Sequence, residues 1–220
     1  MPQGPGRLVE LQRVVGRVRT PWVLLIWSAA RRYVLVARDL GDVSDLPAGG
    51  NGLVCQGLES TSTDELMALD RRLTRQEIER RRRDGQSCEV WRLDGSIVHF
   101  RWLADRRTHL DYLGLDFAPQ PGDILVDEVF TPVTARGRGI HRQVASLSTR
   151  RASAAGYRRQ IALCAWWNTP ALRVTRRWGY RPVGTVTRWH LSPRPRFSVT
   201  GAANLRSRVL WLDEIAGISG

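Results

Sequence analysis

The amino-acid sequence predicts a mixed α/β domain, a sheet with helices packed on it. Three observations predict this class. An Asp94-Gly95 pair joins two runs that read as strands, helix-opening patterns stand at Thr63 and Thr74, and beyond residue 123 strand-like and helix-like runs alternate. A chain of 220 residues, 42% of them apolar, can bury a core of that kind.

Leu8, Leu11, Val15 and Val18 recur at helical spacing among Arg7, Arg13 and Arg17, and Trp22 and Trp27 flank the apolar run that follows. Two readings stand for residues 7–30: an N-terminal helix docked on the core, or an interfacial helix on an anionic membrane surface with its tryptophans at headgroup depth. Residues 33–37 read as a strand, and residues 41–52, rich in Gly, Asp and Ser, as a linker. Thr63-Asp64-Glu65 opens one helix, and Thr74 with Glu77 three residues later opens a second. That second helix ends in Arg80, Arg81, Arg82 and Arg83, a charge run that reads as a solvated helix end, where cations suit the dipole, and not as a nucleic-acid site. Residues 88–93 and 96–103 form a hairpin about Asp94-Gly95. Residues 123–131 are predicted as a strand, 138–155 as a helix, 160–165 as a short buried strand, 168–177 as a helix and 180–191 as a strand. Pro193 and Pro195 set off a tail, with a last strand at 208–212.

The apolar run at residues 21–30 is well short of the roughly 20 residues that a spanning helix needs. Cys55, Cys88 and Cys164 are far apart, with no CxxC pair, so the sequence predicts neither a disulfide framework nor a metal site. No secretory signal pattern opens the chain, and the expected location is cytoplasmic, with the inner membrane surface added if residues 7–30 bind lipid. The 34 basic residues against 21 acidic give a net charge of +13. Every basic residue is arginine, which fits coding bias as well as a polyanionic partner. Without lysine, the chain has no lysine Schiff base, lysine general base or P-loop lysine.

Chemistry concentrates where strand 123–131 enters the next helix through Ala135-Arg136-Gly137-Arg138-Gly139-Ile140-His141. Glycines let a ligand approach the backbone closely, and the unpaired N–H groups and dipole of a helix start favour phosphate. This junction resembles motif A of the GNAT acetyltransferases, R/Q-x-x-G-x-G/A after a strand, with Arg136, Gly139 and His141 in the three defined places; His141 departs from the small residue of the pattern. Asn168-x-x-Ala171 followed by Trp178-Gly179-Tyr180 is similar to the family's second signature. The resemblance spans about residues 60–191. It implies a GNAT-like mixed, mainly antiparallel sheet flanked by helices, with an N-terminal extension over 1–52, the acetyltransferase domain over 53–192 and a C-terminal tail over 193–220.

The resemblance also implies site residues. The strand before the turn would splay from its neighbour, and Val129, Phe130 and Thr131 would bond the pantetheine arm and thioester of acetyl-CoA. Arg136, Gly137, Arg138, Gly139, Ile140, His141 and Arg142 would cradle the pyrophosphate. Asn168 would contact the cofactor arm, although its place before Thr169-Pro170 fits a helix N-cap equally. The family's tyrosine acid would fall at Thr175, which is a poor acid.

Acyl transfer to an amine needs a proton acceptor, and Asp127 and Glu128 are the acidic pair on the strand entering the site. Strand alternation would send them to opposite faces. Glu128 is the expected base and Asp127 the residue pointing away; the competing reading of Glu128 is a surface carboxylate paired with arginine. Tyr112, His109 and His190 stand in reserve for proton work, and Trp166 and Trp167 could wall the cofactor slot or the acceptor pocket. The function expected is transfer of an acetyl group from acetyl-CoA to a primary amine, on a small molecule or a protein. The rival is a non-catalytic basic module binding RNA or anionic lipid.

Overall fold

The structure is a computed structural model that describes residues 29–41, 43, 46, 52–70, 72–190 and 195–213. The amphipathic segment 7–30, apart from its last two residues, lies outside them, as does most of the linker.

Among the described residues twelve strands and four α-helices follow one another: β1 (Ala30–Asp39), β2 (Leu53–Gly57), α1 (Thr63–Leu69), α2 (Arg75–Arg83), β3 (Ser87–Leu93), β4 (Ser96–Ala104), β5 (Thr108–Leu110), β6 (Leu115–Phe117), β7 (Asp123–Phe130), α3 (Ile140–Ala154), β8 (Arg159–Ala165), α4 (Thr169–Arg177), β9 (Arg181–Trp189), β10 (Arg196–Gly201), β11 (Ala203–Arg206) and β12 (Val209–Leu212). Eight strands form the main sheet in the order β10-β9-β1-β8-β7-β4-β3-β2, and β11-β12-β6-β5 form a smaller one. Every pairing in the main sheet is antiparallel except β7 with β8. The predicted mixed, mainly antiparallel sheet flanked by helices is the architecture observed.

Local signals account for many of the elements. Asp94 and Gly95 take φ of 48° and 77°, the two left-handed positions of a tight hairpin turn, between β3 and β4. Helix α1 opens on a reciprocal capping box, but the cap is Ser62 with Glu65. Thr74 caps α2 by accepting from the Glu77 N–H at 3.1 Å.

Burial then assembles the layers. The hydrophobic side chains Leu66 and Ile78 of α1 and α2 pack on Cys88, Val90, Phe100 and Trp102 of β3 and β4. The small sheet brings Leu110, Leu115, Phe117, Leu210 and Leu212 onto Leu35, Leu125, Ile161 and Val186 of the main sheet. Helix α3 packs against Trp91 and Val98 through Ile140 and Val144. Trp91 and Val90, adjacent on β3, meet different helices, as strand alternation requires.

Strand β1 is the least expected feature. Residues 33–37 were assigned to an N-terminal extension, yet β1 lies between β8 and β9 in the middle of the sheet, pairing Tyr33 to Ala165 on one side and to Val186 on the other. Its run Leu35, Val36 and Ala37 is buried without interruption, as in a strand covered on both faces. The C-terminal segment, expected to return one strand, supplies three: β10 extends the main sheet beside β9, and β11 and β12 build half of the small one. Among the described residues, no helix is long and apolar enough to cross a membrane.

Candidate active site

Strands β7 and β8 run parallel from the pair Asp123 and Arg159 to the pair Val126 and Ala162, and there the pairing stops. Strand β7 continues to Phe130 and β8 to Ala165, so the two part at their C-terminal ends. Beyond β7 the chain makes a short 3-10 turn, Val133–Ala135, and enters α3. Helix α3 starts at Ile140, two residues later than predicted, because Gly139 takes φ of 73° and serves as a left-handed N-cap.

That cap leaves the helix start open to a ligand. No side chain caps the first turn of α3, and the first intrahelical bond closes only from the Gln143 N–H to the Gly139 carbonyl at 3.1 Å. A Cβ built on Gly137 or Gly139 would meet nothing within 4 Å. The Arg136 Nε donates to the Thr131 carbonyl at 3.0 Å, tying the loop back to the end of β7.

This helix start forms one wall of a cavity of about 890 Å³. Thr131, Arg136, Gly137, Gly139, Ile140 and His141, all anticipated as cofactor contacts, line it, as does Arg142. Arg38 of β1 and Val174, Arg177, Trp178 and Gly179 around the end of α4 line the other side; Trp178 and Gly179 belong to the second signature, whereas Arg38, Val174 and Arg177 were not singled out from the sequence. The lining contains four arginines and no carboxylate. A polyphosphate fits this chemistry, with backbone N–H groups and a helix dipole at one end and guanidiniums along the walls.

Other anticipated contacts lie elsewhere. Val129, Phe130 and Arg138 are outside the lining. The Asn168 side chain accepts from the Ala171 N–H at 3.3 Å, the N-cap bond that its position also suggested. The Thr175 hydroxyl donates to the Leu172 carbonyl at 3.1 Å within α4. Trp166 and Trp167 are half-buried and do not wall the cavity. His99, which the sequence did not single out, is buried behind Thr131 with its Nδ1 2.8 Å from the hydroxyl, and its ring centroid lies 5.4 Å from that of His141. Burial, then Arg101, hold both imidazoles below their ordinary values, so both are neutral at pH 7.

The acidic pair departs from the expected alternation. Opposite β7, Arg101 pairs with Val129 and Trp102 with Asp127, leaving Glu128 unopposed at φ of 38°. This one-residue bulge turns the strand, and both carboxylates meet the same guanidinium: Arg81 donates to Asp127 Oδ2 at 3.2 Å and to Glu128 Oε2 at 2.7 Å. The expectation that Asp127 points away from Glu128 is therefore corrected.

The two differ in access. Asp127 is 7% exposed and also accepts from the Tyr112 hydroxyl at 3.3 Å, whereas Glu128 is 24% exposed. Burial pushes both carboxyls above the ordinary carboxylate value, against the pull of Arg81. Of the reserves, Tyr112 is thus held by Asp127, and the His109 Nδ1 is 2.7 Å from Asp116.

Arg81 corrects a second expectation. The run from Arg80 to Arg83 is not a wholly solvated end, because Arg81 lies three residues after the buried Ile78, on the inner side of α2. Its Nε donates to Glu77 at 2.6 Å, and its guanidinium carbon lies 5.1 Å from the centroid of the Trp102 ring. Among the described residues, no group of His, Cys, Asp and Glu side chains could hold a metal ion.

No family model matches the chain, and no curated protein matches it by sequence. Solved structures do. A conserved protein of unknown function from Staphylococcus epidermidis aligns over 78% of this chain and 65% of its own, at 12% identity and a TM-score of 0.53. A protein from Novosphingobium aromaticivorans, assigned as an acetyltransferase of the GNAT family, aligns over 72% and 62%, at 20% identity and a TM-score of 0.50. A third, an aminoglycoside N-acetyltransferase in complex with CoA, aligns over 58% and 91%, at 18% identity and a TM-score of 0.45. The chain spans less than two thirds of the length of the first two. Identities this low speak for shared architecture alone, and the architecture of this chain is the GNAT acetyltransferase fold.

Proposed function

We propose that this protein is an acetyl-CoA-dependent N-acyltransferase acting on a primary amine. One observation carries the reading: a helix start with no side-chain cap and with open glycine backbone, in a cavity lined by arginines and free of carboxylates, lies beyond the point where β7 and β8 part. Acetyl-CoA, when bound, supplies the acetyl thioester.

The chain's own residues then have separable tasks. Gly137, Gly139 and the first N–H groups of α3 hold the pyrophosphate, with Arg136 and Arg142 beside it. Beyond Val126 the edge of β7 that faces β8 is free to bond the pantetheine arm and to polarise the thioester carbonyl, while its other edge stays paired to β4. Glu128 lies about 10 Å back along β7 from Thr131 and accepts the proton of the attacking amine, directly or through one water. The amine nitrogen bonds to the carbonyl carbon, the C–S bond breaks, and the thiolate leaves with a proton from solvent, since Thr175 is turned into its own helix.

Calorimetric titration of the full chain with acetyl-CoA tests the cradle. Wild type should bind. Gly139→Glu should lose binding by about 10² or more, since it sets a carboxylate against the pyrophosphate and also strains a left-handed position. Gly139→Asn, which tolerates that conformation and adds no charge, should retain more of the affinity. Equal affinity in wild type and Gly139→Glu would remove the cradle from this junction.

A further inference from the structure

We propose that Arg38 on β1 and Arg177 at the end of α4 form a second anion subsite, one that reads the 3′-phosphate of the coenzyme and so separates CoA from 3′-dephospho-CoA. The proposal rests on the acetyl-CoA reading above and concerns the wall of the cavity that the pyrophosphate cradle leaves unexplained.

The unexplained feature is Arg38. Its Nη1 is enclosed by protein yet makes no hydrogen bond, in a side chain that carries five N–H donors and no acceptor. An enclosed, unanswered donor is costly, and a guanidinium more so. Burial, partly offset by Tyr180, pulls the Arg38 guanidinium below its ordinary value, which is what the absence of a compensating anion would do.

Two polar neighbours have partners of their own. Across the sheet Arg38 pairs with Gln160, whose Oε1 is already taken by the Tyr180 hydroxyl at 2.9 Å and by the Thr149 hydroxyl at 3.1 Å. The Asp39 side chain turns to the Gly41 N–H at 2.9 Å. Gly179, at φ of 75°, keeps the ground beside the guanidinium clear, and a Cβ there would lie 3.7 Å from Nε.

Arg177 comes to the same cavity from the last turn of α4, exposed, and no carboxylate lines the space they share. The end of a helix disfavours an anion through its carbonyls, so an anion held there needs cations to outweigh the dipole. Two guanidiniums meet that need. A phosphomonoester carries between one and two charges at pH 7 and three acceptor oxygens, and the planar fork of arginine matches its geometry. Coenzyme A offers one such group besides its pyrophosphate.

The test is calorimetric titration of the full chain, as wild type, Arg38→Gln and Arg177→Gln, with CoA and with 3′-dephospho-CoA. Wild type should bind CoA about 10-fold or more tighter, as expected for charge-assisted bonds to phosphate. Each variant should bring that ratio toward one by weakening CoA while leaving the affinity for 3′-dephospho-CoA in place. Equal wild-type affinity for the two ligands would overturn the proposal with the acetyl-CoA reading intact. So would variants that weaken both ligands by the same factor. If neither ligand binds wild type, the acetyl-CoA reading fails and this proposal with it. Should Arg38→Gln not fold, Arg177→Gln, on an exposed helix end, decides the matter alone.

Discussion

Glu128→Gln should lower turnover by about 10² or more, the usual scale for loss of a general base, with acetyl-CoA affinity little changed. Glutamine keeps the size and one hydrogen-bond acceptor for Arg81, so the bulge can survive while the base is removed. Wild-type kcat/KM should rise with pH through the Glu128 value, which burial has pushed above the ordinary carboxylate range. That rising limb should disappear in the variant, and the deficit should shrink at high pH, where the acceptor amine is neutral without help. Asp127→Asn is a different experiment from the one strand alternation suggested. Asp127 is sealed between Arg81 and Tyr112, so its loss should appear first in stability. An unchanged turnover and pH profile in Glu128→Gln would move the base elsewhere.

Arg81→Ala should destabilise the fold by about 3–5 kcal/mol, the range for removing one partner of a buried charge network. Arg81 is 8% exposed and answers Glu77, Asp127 and Glu128 at once. Without it, the two carboxylates on the bulge keep only the Tyr112 hydroxyl at Asp127 and the more distant Arg72, 3.7 Å from Glu128 Oε1. The loss should depend on pH, and the sign follows from proton binding. Burial already raises the folded-state values of Asp127 and Glu128, and removing the cation raises them further. A carboxyl whose folded value stands above its unfolded one favours folding while protonated, and it loses that advantage as pH rises through the folded value. Thermal melts should therefore show a smaller deficit at about pH 5 than at about pH 8. A deficit that is flat with pH, or that grows on acidification, would mean that Arg81 does not neutralise this pair.

The parts of the fold that the sequence revealed are those fixed by neighbouring residues. The β3–β4 turn needs two left-handed positions, and Asp94-Gly95 announces them. Thr74 with Glu77 marks its helix because a capping bond spans only three residues, and the first helix was read from Thr63-Asp64-Glu65, one residue past its actual cap, Ser62. The glycine and arginine turn before α3 was legible for the same reason. Strand β1 was visible as a strand, but its place between β8 and β9 depends on pairings 120 or more residues away, which no local pattern encodes.

Short strands such as β5 and β6, three residues each, are too brief to show a period. The bulge at Glu128 adds one unpaired residue that composition cannot betray, and with it the assumption that adjacent strand residues part company failed. Arg81 was within reach, because the i, i+3 relation to Ile78 places it on the inner side of α2. Arg38 was not, being one arginine among many until the sheet order brought it beside Gly179.

Acetyl transfer to an amine is tested most directly by mixing the full chain with acetyl-CoA and a panel of primary amines, from small molecules and amino sugars to peptide N-termini, and reading free thiol alongside the mass of the acceptor. At least one amine should release thiol in step with an N-acetylated product, at a rate lost in Gly139→Glu and reduced by about 10² in Glu128→Gln. Thiol release no faster than the amine-free blank across the whole panel, from a chain that binds acetyl-CoA in the calorimeter, would contradict an acyltransferase and leave a coenzyme-binding protein in its place.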